Sequence, residues 1–247
     1  MEYFETKNNY ERRMTVNSWQ KKEWMLLSKK LPTLFFGLAI YSFAIILMRD
    51  AGLGMNPWGV FHMGISNRTP LTLGQATQLL GLVILGLTVF LRVVPGLASL
   101  CNMIFIGMMV DMIDAIGIIK TPNTFVGQVL MLLTGVILTG WGSYFYLRVR
   151  LGAGPRDGLM EGLVKITQKP VWMIRSILEI SVLIIGYLLG GPVGIGTLIT
   201  ATTIGFSVQM AFKIGKYDAK GGKHINCIEL YHKLSGIQEP KRATFSK

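Results

Sequence analysis

The sequence predicts an all-α fold: a polytopic membrane helix bundle of six transmembrane helices, arranged as two inverted three-helix repeats with two short interfacial or re-entrant helices. Three observations predict it. Of 247 residues, 51% are hydrophobic and only 15% charged, with a mean hydropathy of +0.46; a soluble domain carries about 25% charged residues. Six runs are apolar over the roughly 20 residues that a bilayer core demands: 31–48, 73–91, 97–118, 125–147, 171–189 and 193–212. Finally, the second half of the chain repeats the first.

The composition excludes bulk disorder and a disulfide scaffold, since Cys101 and Cys227 are the only cysteines. The net charge of +12 would point to nucleic acid in a soluble protein. Here the basic residues sit in tails and loops, where they mark the cytoplasmic side, and no nucleic-acid partner is expected.

The first segment, 1–30, is polar and has no cleavable signal pattern. Its stretch 19–30 places Trp19, Trp24, Met25, Leu26 and Leu27 among lysines, as in an amphipathic helix lying at the headgroups. With that end in the cytoplasm, 21 Lys and Arg fall on inside segments and 3 outside. The positive-inside rule then places both ends in the cytoplasm, as an even number of spans requires. Aromatic residues gather where interfacial belts are expected: Phe35, Phe36, Trp58, Phe61, Trp141, Tyr144, Tyr146 and Trp172. For Trp58 a ligand-stacking role is also open.

The repeat halves are 31–118 and 125–212. Gly96, Leu100, Ile106, Gly107, Val110 and Met112 recur as Gly194, Leu198, Ile204, Gly205, Val208 and Met210, a constant step of 98 positions. Upstream, Pro57 pairs with Pro155, Gly64 with Gly162, and Gly52-Leu53-Gly54 with Gly152-Ala153-Gly154 across a two-residue difference in spacing. Three spans per half is an odd number, so two such halves face opposite ways. Inverted repeats of this kind recur in secondary transporters.

Asn56-Pro57 reads as an N-cap followed by proline at the first helical position, and Gly154-Pro155 reads the same way more weakly. Each starts a helix too short to span. It is either an interfacial hairpin or a half-helix whose N-terminus faces an anionic group. Arg156 and Asp157 follow the second turn; Asp157 suits a helix start, and Arg156 is a candidate gate or ligand. His62 is a candidate proton carrier or a structural histidine.

Inside the spans stand Asp111, Asp114, Arg175 and Glu179. An aspartate near a span centre costs about 2.5–3.5 kcal/mol on the insertion scale, so it should face the bundle. Asp111 and its repeat mate Gln209 are the candidate polar interior, while Asp114 suits a wet end. Arg175 and Glu179, four apart, share a helix face and can pair with each other; alternatively Arg175 meets Asp111 or a substrate. Thr197, Thr200, Thr203 and Ser207, with Asn102 as the mate of Thr200, suit close helix packing or a substrate path.

No catalytic or nucleotide-binding signature is present. The expectation is therefore no enzyme, no cofactor and no metal; His224 and Cys227 alone are too few ligands. The tail 213–247 is basic, with an apolar-patterned stretch at 225–236 that suits anionic lipid or a cytosolic partner.

The paired turns Gly52-Leu53-Gly54, Pro57-Trp58, Phe61-His62 before Gly64, and Gly152-Ala153-Gly154-Pro155-Arg156-Asp157-Gly158 resemble those of the YczE/YyaS/YitT-type bacterial integral membrane proteins. The resemblance spans about residues 30–215 and implies a bacterial plasma (inner) membrane location. In that pattern an acidic residue commonly follows the Trp; here Gly59 stands there, while Asp157 keeps the carboxylate in the second half. The resemblance supplies no substrate.

The expected function is a small-molecule or ion transporter using alternating access of inverted repeats. The alternative is a membrane accessory or scaffold acting through partners. Membrane lipids are the expected surroundings, and a homodimer is compatible with either reading.

Overall fold

The computed structural model describes residues 2–217 and 224–236, with side chains described from Trp19 onward. Every regular element among them is a helix. In chain order these are α1 (Glu2–Asp50), α2 (Pro57–Arg68), α3 (Leu73–Phe90), α4 (Leu97–Ile116), α5 (Phe125–Arg148), α6 (Pro155–Thr167), α7 (Val171–Leu188), α8 (Ile195–Ile214) and α9 (Cys227–Ser235). The stretch Trp19–Asp50 of α1, with α3, α4, α5, α7 and α8, is long and apolar enough to cross a membrane. The amphipathic stretch 19–30 is not a separate element: α1 runs through it unbroken, with Pro32 inside the helix. Trp24, Met25 and Leu26 stay on its surface while Leu27 is buried.

Glycine brings the helices together. A Cβ on Gly37 of α1 would lie 2.6 Å from the Tyr146 nitrogen of α5, and one on Gly142 would lie 2.9 Å from the Tyr41 nitrogen. Small residues are what allow backbones to approach this closely in a membrane bundle. Of the α8 hydroxyls, Ser207 crosses to a neighbouring helix and the threonines bond locally. Ser207 donates to the Val136 carbonyl of α5 at 2.9 Å, and Thr200 and Thr203 donate within their own helix.

Contacts recur 98 positions apart between the two halves. The Gly196 amide donates to Leu53 O at 2.7 Å, and the Ala98 amide donates to Leu151 O at 2.8 Å. The Gly194 amide donates to the Thr197 hydroxyl at 3.2 Å, and the Gly96 amide to the Ser99 hydroxyl at 3.1 Å. Helix α2 packs on α7 where Gly64 meets Gly186 and Leu189; α6 packs on α3 where Gly162 meets Leu91.

These bonds correct the spacing expected at the glycine turns. The conformational mate of Gly152 (φ 126°) is Gly54 (φ 98°), and the N-cap Gly154 (φ −61°, ψ 161°) matches the N-cap Asn56 (φ −62°, ψ 160°). There is no two-residue difference. Backbone conformation aligns the turns at the constant step, whereas matching Gly to Gly by letter shifts the first glycine.

One pair of contacts does not recur. Helix α3 packs along α4, and a Cβ on Gly107 would lie 2.6 Å from Gly74 O. The mate of Gly107, Gly205 on α8, has no atom within 4 Å of where its Cβ would stand. Trp172 of α7, the mate of Gly74, is 70% exposed. A flat glycine surface on one side and an indole on the other explain why α7 and α8 make no comparable contact.

The segment after α8 returns to the body. The Ile225 amide donates to Arg150 O and the Cys227 amide to Pro95 O, each at 3.0 Å. Leu230 and Leu234 of α9 pack against the main core, leaving Ile228 and Tyr231 exposed. Part of the tail expected to seek lipid or a partner is thus docked on the protein itself.

Candidate functional site

Helices α2 and α6 begin inside the bundle. The N-cap Asn56 carboxamide accepts from the Gly59 amide at 2.7 Å, and Pro57 opens α2. Pro155 opens α6 behind Gly154, which supplies no side-chain cap. From these starts each helix runs outward. Asn67 and Arg68, at the end of α2, donate to the Gly190 and Leu189 carbonyls beyond α7. Toward the end of α6, Gly162 rests on Leu91 and Val93.

The two starts meet. The Arg156 guanidinium lies over the Trp58 ring, 4.7 Å from its centroid. Trp58 also packs in a small core with Ile84, Leu159 and Val182, and is only 7% exposed. It is therefore interior, unlike an interfacial anchor. Tyr146, also grouped with the belt residues by sequence, is likewise buried.

Around this stack lies a cavity of about 670 Å³, lined from all eight helices α1–α8 and by His224. That volume suits a small ligand. Of the sequence candidates, Asn56, Pro57, Trp58, His62, Asn102, Thr200, Gly154, Pro155, Arg156, Asp157, Arg175 and Glu179 all line it. Gly52, Gly54 and Gly152 lie in the turns behind it; Gly54 and Gly152 have positive φ and abut Gly194 and Gly96.

Asp111 and Gln209 are not brought together in this cavity. Asp111 accepts from the Thr72 hydroxyl at 2.6 Å and the Gly74 amide at 2.8 Å, so it ties the start of α3 to α4. A carboxylate at a helix N-terminus satisfies otherwise unpaired amides. Gln209 is exposed. Asp114 is bonded to Arg49 at 2.6 Å, and Arg49 also holds Asp50.

The polar groups of the cavity divide into paired and open ones. Arg175 Nε lies 3.2 Å from Glu179 Oε1, the intrahelical pair expected from their spacing. His62 Nδ1 is 3.1 Å from the Thr77 hydroxyl, which donates onward to Leu73 O. The hydroxyl therefore has its lone pairs toward the ring, and the arrangement suits a proton on Nδ1. Asp157 accepts a hydrogen bond from the Tyr146 hydroxyl, and Arg175, Arg156 and His224 act on it electrostatically. Gly154 leaves room for Tyr146, Asn102 and Asp157 to converge, all within 4 Å of where its Cβ would stand.

Sequence reasoning missed Tyr146 and His224 as cavity residues. The only available signal for Tyr146 was its position six residues before Gly152, the start of the second glycine turn. Among the described residues, no group of three or more His, Cys, Asp or Glu is placed to hold a metal ion.

Comparison with known proteins places this site in a family. Residues 28–213 match a family of unknown function, DUF6198. An uncharacterized protein of Haemophilus influenzae is 36% identical over 191 residues, covering 77% of this chain and 87% of that protein. The uncharacterized membrane protein YczE of Bacillus subtilis is 34% identical over 192 residues, covering 74% of this chain and 87% of YczE. YyaS, from the same organism, is 25% identical over 182 residues, covering 72% and 90% respectively. No solved structure matches. The chain belongs to the DUF6198 family and, with its YczE relative and six apolar helices, is a multi-pass membrane protein.

Proposed function

We propose that this DUF6198 member is a non-enzymatic transporter of a small molecule or ion, working by alternating access between two inverted three-span halves. The bacterial plasma membrane, with both ends cytoplasmic, is the proposed setting. The stacking of Arg156 on Trp58 carries the reading. These residues occupy equivalent places 98 positions apart, at the first turns of the two short helices, so their contact lies where the halves meet. Both residues also line the central cavity. A cavity at the junction of two equivalent halves can open to either side by rocking one half against the other. Inverted halves give the two open states similar energies.

The test uses a single cysteine in the cavity. Cys101 and Cys227 are replaced by serine and Ala201, which lines the cavity, by cysteine. A membrane-impermeant maleimide is applied to right-side-out and inside-out vesicles. Alternating access requires labelling from both sides; labelling from one side only, under every condition, removes the reading.

A second reading, an accessory or scaffold protein, draws on the exposed Ile228 and Tyr231 of α9. It requires that removing residues 216–247 abolish function while substitutions in the cavity leave it intact.

A further inference from the structure

We infer that the ligand of the central cavity is zwitterionic, carrying an anionic group and an amine on one small molecule or one lipid headgroup. The inference rests on the cavity being the substrate site proposed above. Four charged side chains line it: Arg156, Asp157, Arg175 and Glu179. Their formal charges cancel, so the chamber as a whole favours neither a net anion nor a net cation.

Two of the four are already paired, Arg175 with Glu179. The other two are open. Arg156 lies over the Trp58 ring, and among the described residues its guanidinium, with five N–H donors, has no salt bridge. Asp157 has the Tyr146 hydroxyl but, among the described residues, no salt bridge. An open fork and an open carboxylate thus stand on consecutive residues at one end of the chamber.

A ligand that fills the chamber strips water from the half-buried Arg156 and the exposed Asp157, and it must then satisfy both, because a desolvated charge left unpaired is costly. A simple anion would match Arg156 and face Asp157 and Glu179 unfavourably. A simple cation would match Asp157 and meet two guanidinium groups. Only a ligand with both charges is complementary at both places. The Asn102 carboxamide lines the same end and adds uncharged donor and acceptor capacity. The rest of the wall is largely apolar, with Ile84, Leu178, Val208 and Phe212. Gly205 also lines the chamber and has no atom within 4 Å of where its Cβ would stand, which leaves space on the α8 side for an acyl chain. A soluble zwitterion and a lipid headgroup therefore share the required chemistry.

The experiment measures binding to the purified full chain by thermal shift and calorimetry, with matched probes. Glycerophosphoethanolamine and 6-aminohexanoate carry both charges. Glycerol 3-phosphate and hexanoate carry only the anion; ethanolamine and hexylamine carry only the cation. Nanodiscs of phosphatidylethanolamine against phosphatidylglycerol form the lipid arm. The expected result is stabilisation by at least one double-charged probe or by phosphatidylethanolamine, with the single-charged counterparts weaker by about tenfold or more. A soluble hit assigns a free solute, and a hit confined to nanodiscs assigns a lipid. Asp157→Asn should remove the amine preference while keeping the anion, and Arg156→Gln should do the reverse; a merely structural role would weaken all probes alike. Equal binding of single-charged probes, or no binding by any probe, overturns the inference. The labelling experiment reads alternation without a ligand, so the two failures are separable.

Discussion

The Arg156 guanidinium lies 4.7 Å from the centre of the Trp58 ring, and the two residues hold equivalent places in the two halves. Neither has its own type as repeat mate, so at this contact identity in the repeat is lost and complementarity replaces it, whereas the contacts of Gly54 with Gly194 and of Gly152 with Gly96 keep it. The stack should couple the two residues by about 0.5–2 kcal/mol. A double-mutant cycle of Trp58→Ala and Arg156→Ala, followed by denaturation in detergent, reads this coupling. Strict additivity would mean that the stack contributes nothing.

Gly107 and Gly205 are repeat mates with opposite surroundings. A Cβ on Gly107 meets Gly74 and Gln78, whereas one on Gly205 meets nothing. Gly107→Ala should therefore cost about 1–3 kcal/mol through overpacking of α3 on α4. Gly205→Ala should be neutral or stabilise by up to about 1 kcal/mol, since alanine favours the helix. Equal effects in thermal unfolding would show that α8 packs on α7 as closely as α4 packs on α3.

Asp111 should affect stability and leave ligand binding unchanged. Its carboxylate joins Thr72 and Gly74 at the start of α3, away from the cavity lining. Asp111→Ala should lower stability by about 1–3 kcal/mol, the cost of unsatisfied partners. Affinity for a cavity ligand should stay within about twofold, as expected for sites that share no partner. A large loss of affinity at unchanged stability would place Asp111 in the path after all.

His224 should make docking of the tail pH-dependent. Burial first, and Arg150 second, push its imidazole below its ordinary range. The docked form thus disfavours the charged ring relative to the undocked form. Docking is fully supported above the unperturbed value of 6.5 and weakens as pH falls from there toward the lowered one. Hydrogen exchange in α9, corrected for intrinsic rates, should rise on acidification. In His224→Ala that rise should be absent; its persistence would assign the effect to another group.

The helices themselves were legible in the sequence because local chemistry decides them. The run at 125–147 becomes Phe125–Arg148, and 73–91 becomes Leu73–Phe90. The prolines after Asn56 and Gly154 start α2 and α6 where a helix can lose an amide without cost. The i,i+4 spacing of Arg175 and Glu179 was enough to predict their pair. The site was only partly legible. Twelve of its lining residues could be nominated from turns and intramembrane polarity, but Asp111 carries the same sequence signal and performs a capping role instead. An intramembrane carboxylate must find a partner, and its own sequence neighbourhood does not say which.

Composition, hydropathy and the 98-residue step by themselves determined six apolar helices, two short ones and a chain that doubles on its own pattern. These follow from local periodicity and from what a bilayer solvates. Only the tertiary structure decided that α2 and α6 begin face to face, that Arg156 rests on Trp58, and that α3 closes on α4 while α7 stays apart from α8. Those outcomes depend on which surfaces can approach. A glycine permits contact and an indole prevents it, and that is settled between helices far apart in sequence.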